Sequence, residues 1–327
     1  VNLRSKGRGE GMLSIYNLDE KNKILKTDEY VKGCWINLIA PTPKEINQIA
    51  EKLDIDIDFL KDALDDEERS RVEKEDGHVF ILVDFPYLTA DDSGFAMYET
   101  MPIGIVITDQ CIVTISLMEC PFLTDFINNK MKGAEPFKKT RFALQILFSI
   151  SNYYLRYLKQ INRRTNEVEK ELHKTMRNKE LYTLMAIEKS LVYFTTSLKS
   201  NKTVLQKLLR MNFLKMYEED KDLLEDVIID NTQAIEMVET YSSILSHTMD
   251  AFSSVISNNL NIVMKFLASV TIIMTIPTIV ASFFGMNYPL PFGGEKNPWG
   301  FLIAMGIAFV LSAAAATVFW KKNFFKD

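Results

Sequence analysis

Two apolar runs near the carboxy terminus, residues 266–284 and 299–320, hold no ionisable side chain. They are about 19 and 22 residues long, close to the roughly 20 that carry a helix across a hydrocarbon core. Nothing comparable occurs earlier, where Lys, Glu and Asp abound. The sequence predicts an α+β membrane protein: a cytosolic mixed α/β domain, a long helical stalk and two C-terminal transmembrane helices.

The amino terminus lacks the charged-then-apolar pattern of a signal peptide, so the large first part is expected to stay in the cytosol. Residues 1–11 read as an extension upstream of Met12, where "MLSIYNL" begins a strand. The second span runs into "KKNFFK", with three lysines, whereas the inter-span loop carries only Glu295 and Lys296. That bias places both termini in the cytoplasm of a multi-pass protein of the cell (inner) membrane. Cys34, Cys111 and Cys120 show no C-x-x-C spacing and read as core thiols of a reducing compartment.

Short β-branched runs alternate with short helical ones up to about residue 119. "CWINLIA" (34–40) and "HVFILVDF" (78–85) have strand composition, and residues 103–117 read as a hairpin turning at Asp109 and Gln110. "PKEINQIAEKL" (43–53) and "DFLKDAL" (58–64) read as helices, the first with Thr42 as N-cap before Pro43. The layer is α/β with a mixed sheet. It has no glycine-rich phosphate loop, no G-x-S-x-G elbow and no H-E-x-x-H.

From about Thr140 the pattern turns to long helices. Leu144, Leu147, Tyr154, Leu158, Ile161, Val168 and Leu172 recur at helical steps, and further runs cover 181–210 and a stretch from near Tyr217. No glycine stands between Gly133 and Gly285 and no proline between Pro136 and Pro277. The last helix is therefore expected to run unbroken into the first span.

That helix carries a stripe with steps alternating four and three: Asp250, Ser254, Ser257, Asn261, Met264, Ala268, Thr271, Thr275, Thr278, Ser282 and Gly285. All but Met264 are small or polar. A seven-residue repeat keeps one face toward a common axis in a left-handed bundle. Small residues at this spacing also let membrane helices pack closely, their hydroxyls satisfied by the carbonyl four residues earlier. The phase continues into Asp250, Ser254, Ser257 and Asn261 outside the membrane, which a bundle around water explains better. Two spans enclose little water, so that reading requires several copies. Pro277 removes the hydrogen bond to the carbonyl of Ile273 and is expected to bend the helix.

"GMN" at Gly285, Met286 and Asn287, ending the first of two carboxy-terminal spans before a short outside loop, resembles the CorA family of magnesium channels. "NIVMKFL" (261–267) resembles that family's pore entrance, "LVYF" (191–194) its helical hairpin and "LKDALDDEERSRVE" (60–73) its acidic cytosolic segment. The resemblance covers nearly everything from Met12 onward. It implies a homopentamer in the lipid bilayer, with a cytosolic funnel and a stalk helix that becomes the pore-lining span. It also implies an external ring of Asn287 amides. Mg2+ gives up its waters reluctantly, so neutral amide oxygens could hold the hydrated ion without stripping it.

By position, the resemblance makes Asn261 an inner polar ring, Asp250 the acidic ring at the cytosolic mouth, and Asp62 with Asp226 a regulatory metal site between subunits. Relative to family members, Pro277 sits one residue later after "NIVMK", and the threonine constriction falls at Thr275 or Thr278. The implied division is 12–139 cytosolic α/β domain, 140–265 funnel and stalk, 266–287 first span, 288–298 external loop, 299–320 second span and 321–327 basic cytosolic tail.

The function this implies is passive entry of Mg2+, with Co2+ or Ni2+ as further cargo, gated by intracellular Mg2+. Two rivals stand beside it. A zinc-transporting branch shares the architecture but more often departs from GMN; here His78 reads as a strand start, His173 as a helix-surface residue and His247 as in phase with the stripe. A cytosolic module merely anchored by two spans would not need the stripe. No nucleophile, base and orienting partner form a catalytic set, so an enzyme is not expected. The net charge of −5 and the lack of a basic, aromatic-interleaved patch speak against nucleic acid.

Overall fold

The computed structural model describes residues 11–90, 94–175, 178–286 and 299–322. In chain order its elements are β1 (Met12–Leu18), β2 (Ile24–Thr27), β3 (Trp35–Ile39), α1 (Pro43–Leu53), α2 (Ile57–Asp62), β4 (Arg71–Glu75), β5 (His78–Ala90), β6 (Ala96–Ile107), β7 (Ile112–Ser116), α3 (Pro121–Ile127), α4 (Lys139–Thr175), α5 (Asn178–Arg210), α6 (Glu218–Phe284) and α7 (Gly300–Lys321). The chain divides between Ser246 and His247 into two compact units.

The first unit is built on a seven-stranded sheet in the order β2-β1-β3-β7-β6-β5-β4. Among the described residues only β3 and β7 run parallel, paired from Trp35↔Ile112 to Ile39↔Ser116; the other neighbours are antiparallel. The sheet is mixed, as the sequence predicts. The turn at Asp109 and Gln110 is organised by Thr108, whose Oγ1 accepts from the Gln110 and Cys111 N–H groups at 3.1 and 3.0 Å.

Helices cover both faces, which explains why β5 is apolar on consecutive residues rather than alternate ones. On one face Phe80 and Leu82 join Ile36, Leu38, Val106 and Val113 against Ile49 of α1 and Phe59 and Leu60 of α2. Phe59 stacks on Phe80 at 4.7 Å. On the other face Trp35 meets Phe142 of α4 edge-on at 5.3 Å, and Phe85 meets Phe122 of α3 at 5.4 Å. α5 packs on β4, β5 and β6. β6 comes so close to α2 that a Cβ on Gly104 would lie 2.6 Å from that of Ala63.

α1 starts where the sequence places it. Thr42 Oγ1 accepts from the Glu45 N–H at 3.3 Å, and the Glu45 carboxylate accepts from the Thr42 N–H at 2.7 Å. Two of the helix's orphan donors are satisfied in this way.

A polar seam joins the sheet to α4 and α5. Asn201 donates to the Asp84 carbonyl at 2.8 Å and accepts from the Asp84 N–H at 2.9 Å, and the Tyr154 hydroxyl donates to the same carbonyl at 3.1 Å. Burial raises the pKa of the Asp84 carboxyl against hydroxyl bonds from Ser197 and Ser70 that lower it. These partners complete the backbone's hydrogen bonding where β5 runs past the end of its pairing with β4 at Leu82.

The long β5–β6 hairpin extends past the sequence expectation, to the Ala90↔Ala96 pair. Its outer half is more exposed, with Leu88 at the surface, so the burial alternation that marks a strand is weak there. α3 likewise lies outside the expected helices.

The second unit holds the rest of α6 and α7. α6 is one helix of 67 residues with Pro277 inside it. Both helices are long and apolar enough to cross a membrane. Large apolar side chains stand exposed along them, Met274 at 70% and Phe309 at 76% among them. Such surface is unfavourable in water and suited to lipid.

Candidate functional site

The stripe is carried by α6, and each of its members falls on exposed surface of the single chain: Asp250, Ser254, Ser257, Asn261, Ala268, Thr271, Thr275, Thr278 and Ser282. Between Phe266 and Ser282 the less exposed residues are Ser269, Val270, Ile273, Ile276 and Val280. At 3.6 residues per turn these lie roughly opposite the stripe. The covered residues thus form one narrow face, and the stripe stands on the exposed remainder of the helix beside large apolar side chains such as Leu267, Met274 and Ile279.

Four hydroxyls of the stripe share one arrangement, which Ser269 on the covered side also adopts, donating to the Lys265 carbonyl at 2.7 Å. Ser254 donates to the carbonyl of Asp250 at 3.1 Å, Thr271 to Leu267 at 2.8 Å, Thr275 to Thr271 at 2.7 Å and Thr278 to Met274 at 3.4 Å. A hydroxyl has one proton and two acceptor sites. With the proton committed to its own backbone, each oxygen presents acceptor capacity outward. This is the backbone satisfaction that the close-packing reading expects, and it also leaves a surface able to accept hydrogen bonds from the water around a cation.

α6 ends at Phe284, and the Gly285 N–H still reaches the Ala281 carbonyl at 2.9 Å. A Cβ on Gly285 would stand 3.3 Å from that oxygen. The tight closing turn thus favours glycine at the start of the GMN motif. Met286 is exposed. Asn287 lies outside the described residues, as do 288–298, 323–327 and 1–10.

Asp62 sits at the end of α2 and pairs with Arg71, which also holds Glu68 and Glu73 at 2.7 Å. One guanidinium thus bridges three carboxylates, a contact network that sequence reading did not anticipate. The signal lay in the local "DDEERSRVE" run, whose charges alone do not say which will meet. Asp226 is exposed on α6. Asp230, one turn further on, was not singled out; its carboxyl pKa is raised by burial and then by the charge of Asp226. The two form a like-charged pair on one helix face. Among the described residues, no three His, Cys, Asp or Glu side chains come together in a group that could hold a metal. Asp62 and Asp226 are not brought into such a group within one chain.

Of the histidines, His78 opens β5 and His247 is exposed on α6; the His173 side chain lies outside those described. The cysteines are all buried and free.

A sheet layered between helices, followed by two exposed apolar helices of which one carries a polar stripe, is the architecture of a two-span membrane protein. A family model described as CorA-like Mg2+ transporter protein matches residues 31–322. The chain belongs to that family. It is 29% identical over 282 residues to the cobalt/magnesium transport protein CorA of Methanocaldococcus jannaschii, covering 85% of this chain and 86% of that one. It is 23% identical over 301 residues to the cobalt/magnesium transport protein CorA of Thermotoga maritima, covering 88% and 82%. The complete structure of the CorA magnesium transporter from M. jannaschii superposes with a TM-score of 0.78 at 25% identity, covering 94% of this chain and 97% of that one.

Proposed function

We propose that this protein is a passive divalent-cation channel that admits Mg2+, with Co2+ and Ni2+ as further cargo, through a homopentamer whose axis is lined by the α6 stripe. The observation that carries the reading is the stripe of α6, whose hydroxyls keep their acceptor sites outward over successive turns inside an otherwise apolar helix. A hydrated cation presents water hydrogens, and a column of acceptors matches that shell without dehydrating the ion. Asp250 would gather cations at the cytosolic mouth, Asn261 would form an inner ring, and Gly285, Met286 and Asn287 the external selectivity ring. No nucleotide is required: a divalent ion gains about 4.6 kcal/mol per 100 mV of inside-negative potential. Both termini face the cytoplasm in this account.

Gating is assigned to intracellular Mg2+ at Asp62 and Asp226. Carboxylate oxygens are the donors a hard cation takes, and an ion bridging these residues would draw on two neighbouring chains. Binding would favour the closed arrangement and loss would release like-charge repulsion, a two-state equilibrium biased by ligand. Arg71 already neutralises Asp62, so the ion competes with a guanidinium for it.

The test is wetting of the stripe. Cysteines introduced as Thr271→Cys and Thr278→Cys should react with a membrane-impermeant thiosulfonate and lose transport, whereas Ile273→Cys and Ile276→Cys should be protected. The native thiols are buried, so background is low. Equal reactivity on both faces, or none on the stripe, would refute a water-filled path along it.

A further inference from the structure

Cys34 and Cys111 face each other at one end of the parallel β3–β7 pair. Trp35 is in register with Ile112, and the Ile112 N–H donates to the Cys34 carbonyl at 3.2 Å while the Gly33 N–H donates to that of Gln110 at 2.6 Å. Residues 34 and 111 therefore stand opposite one another on neighbouring chain segments. Both belong to the same hydrophobic cluster on one face of the sheet, so the two side chains stand side by side on that face. Neighbouring strands run about 4.8 Å apart, inside the roughly 4.4–6.8 Å between Cα atoms that a disulfide spans.

From this juxtaposition we infer that Cys34 and Cys111 form a peroxide-reactive dithiol that closes to an intrachain disulfide between β3 and β7. Cys34 is the attacking group. Its pKa is lowered chiefly by the neighbouring Cys111 thiol, against burial that raises it, with help from the Lys52 charge. The Cys111 pKa is raised by the neighbouring Cys34 and by burial. Lys52 is held nearby, its Nζ 3.2 Å from the centre of the Tyr30 ring. Lys139 sits on the Cys111 side, donating to the Thr108 carbonyl at 2.6 Å.

The chemistry balances with hydrogen peroxide as the oxidant. The Cys34 thiolate attacks one peroxide oxygen, the O–O bond breaks, and the leaving hydroxide takes a proton to become water, leaving a sulfenic acid on Cys34. The Cys111 sulfur then attacks the Cys34 sulfur, the S–O bond breaks, and the displaced hydroxyl leaves as water with the Cys111 proton. Two thiols are oxidised by two electrons and the peroxide is reduced to two waters. In a reducing cytosol the bond would be transient, as sensing disulfides are.

Cys120 provides an internal contrast. It is as buried as the pair, but its Sγ lies 3.6 Å from the Met118 carbonyl, to which it donates, and burial pushes its pKa up to about 12. It should stay reduced.

The experiment exposes the folded full-length protein in detergent to hydrogen peroxide, quenches with catalase, unfolds it in N-ethylmaleimide and maps the peptides. Expected are a Cys34–Cys111 linked peptide, loss of two of the three alkylation sites, and alkylated Cys120. The same treatment of chain unfolded beforehand should scatter the links among all three cysteines. In Cys111→Ser, which keeps a hydroxyl beside Cys34 but cannot close the disulfide, peroxide should leave Cys34 as a sulfenic acid that traps dimedone. The inference is overturned if Cys34 and Cys111 remain alkylatable in the folded wild type, or if the link appears no more selectively in the folded than in the unfolded chain.

Discussion

Thr275 donates its hydroxyl to the carbonyl of Thr271 at 2.7 Å, and Thr271 makes the same bond one turn earlier, to Leu267 at 2.8 Å. The two side chains thus use their protons within their own helix and turn the same acceptor surface outward. Replacing Thr275 by valine keeps the branched shape and removes the acceptor. The helix should tolerate this, because the back-bond adds little to its stability. Mg2+ uptake by reconstituted protein should fall about tenfold or more, equivalent to roughly 1.4 kcal/mol or more on the barrier. Unchanged uptake in correctly assembled protein would count against a role for the hydroxyl.

Arg71 holds Asp62, Glu68 and Glu73 together at the partly exposed end of β4. Exposed pairs of this kind contribute about 0–1 kcal/mol, so Asp62→Asn should leave the melting temperature nearly unchanged. It should raise the Mg2+ concentration that protects the protein from limited proteolysis. Arg71→Gln should lower that concentration, since it frees Asp62 from its guanidinium. Identical Mg2+ titrations for all three proteins would remove Asp62 from the regulatory account.

Asp84 gives a pH prediction whose sign follows from the direction of its shift. Burial raises its pKa in the folded protein, so the folded state binds a proton more tightly than the unfolded one. The stabilisation is fully present below the ordinary carboxylate range and is lost as pH rises through the folded value. Asp84→Asn mimics the protonated form. Thermal melts should show the variant gaining on wild type between pH 4 and pH 7; a difference independent of pH would mean that the ionisation of Asp84 is not coupled to folding.

Gly104 and Phe80 test the packing of the sheet against α2. Phe80→Ala removes a fully buried ring stacked on Phe59 and should cost about 3–5 kcal/mol. Gly104→Ala places a methyl 2.6 Å from the Ala63 Cβ, and the overpacking should cost about 1–3 kcal/mol. Denaturant unfolding of both variants measures this directly, and near-native stability for Gly104→Ala would show that α2 moves freely from the sheet.

Elements whose burial follows a regular period were readable from sequence. α1 has its cap and its apolar spacing, and α4 its heptad-like run. The β6–β7 hairpin was marked by polar Asp109 and Gln110 between two apolar strands. The outer half of the β5–β6 hairpin was not readable, because its side chains are only partly covered and their pattern blurs. α3 is short and starts without a side-chain cap. The stripe on α6 was legible because one face of an apolar helix repeats small and polar residues over many turns. The Arg71 contacts were not, since several acidic residues within reach leave its choice to tertiary geometry. The Cys34–Cys111 juxtaposition is likewise set by pairing β3 with β7 across 77 residues of chain, a separation that no local pattern reveals.

The central claim is that cations cross along α6 and are selected at Asn287. Its most direct test is uptake of Mg2+ and of Co2+, offered separately, into proteoliposomes under an inside-negative potential. The native chain and Asn287→Ala are compared, with assembly checked by native mass. The account predicts that both ions enter with the native chain and that the substitution abolishes entry while the oligomer persists. If neither ion moves through the native protein even with internal Mg2+ removed, the stripe is a packing surface, the two spans are an anchor, and the channel account fails.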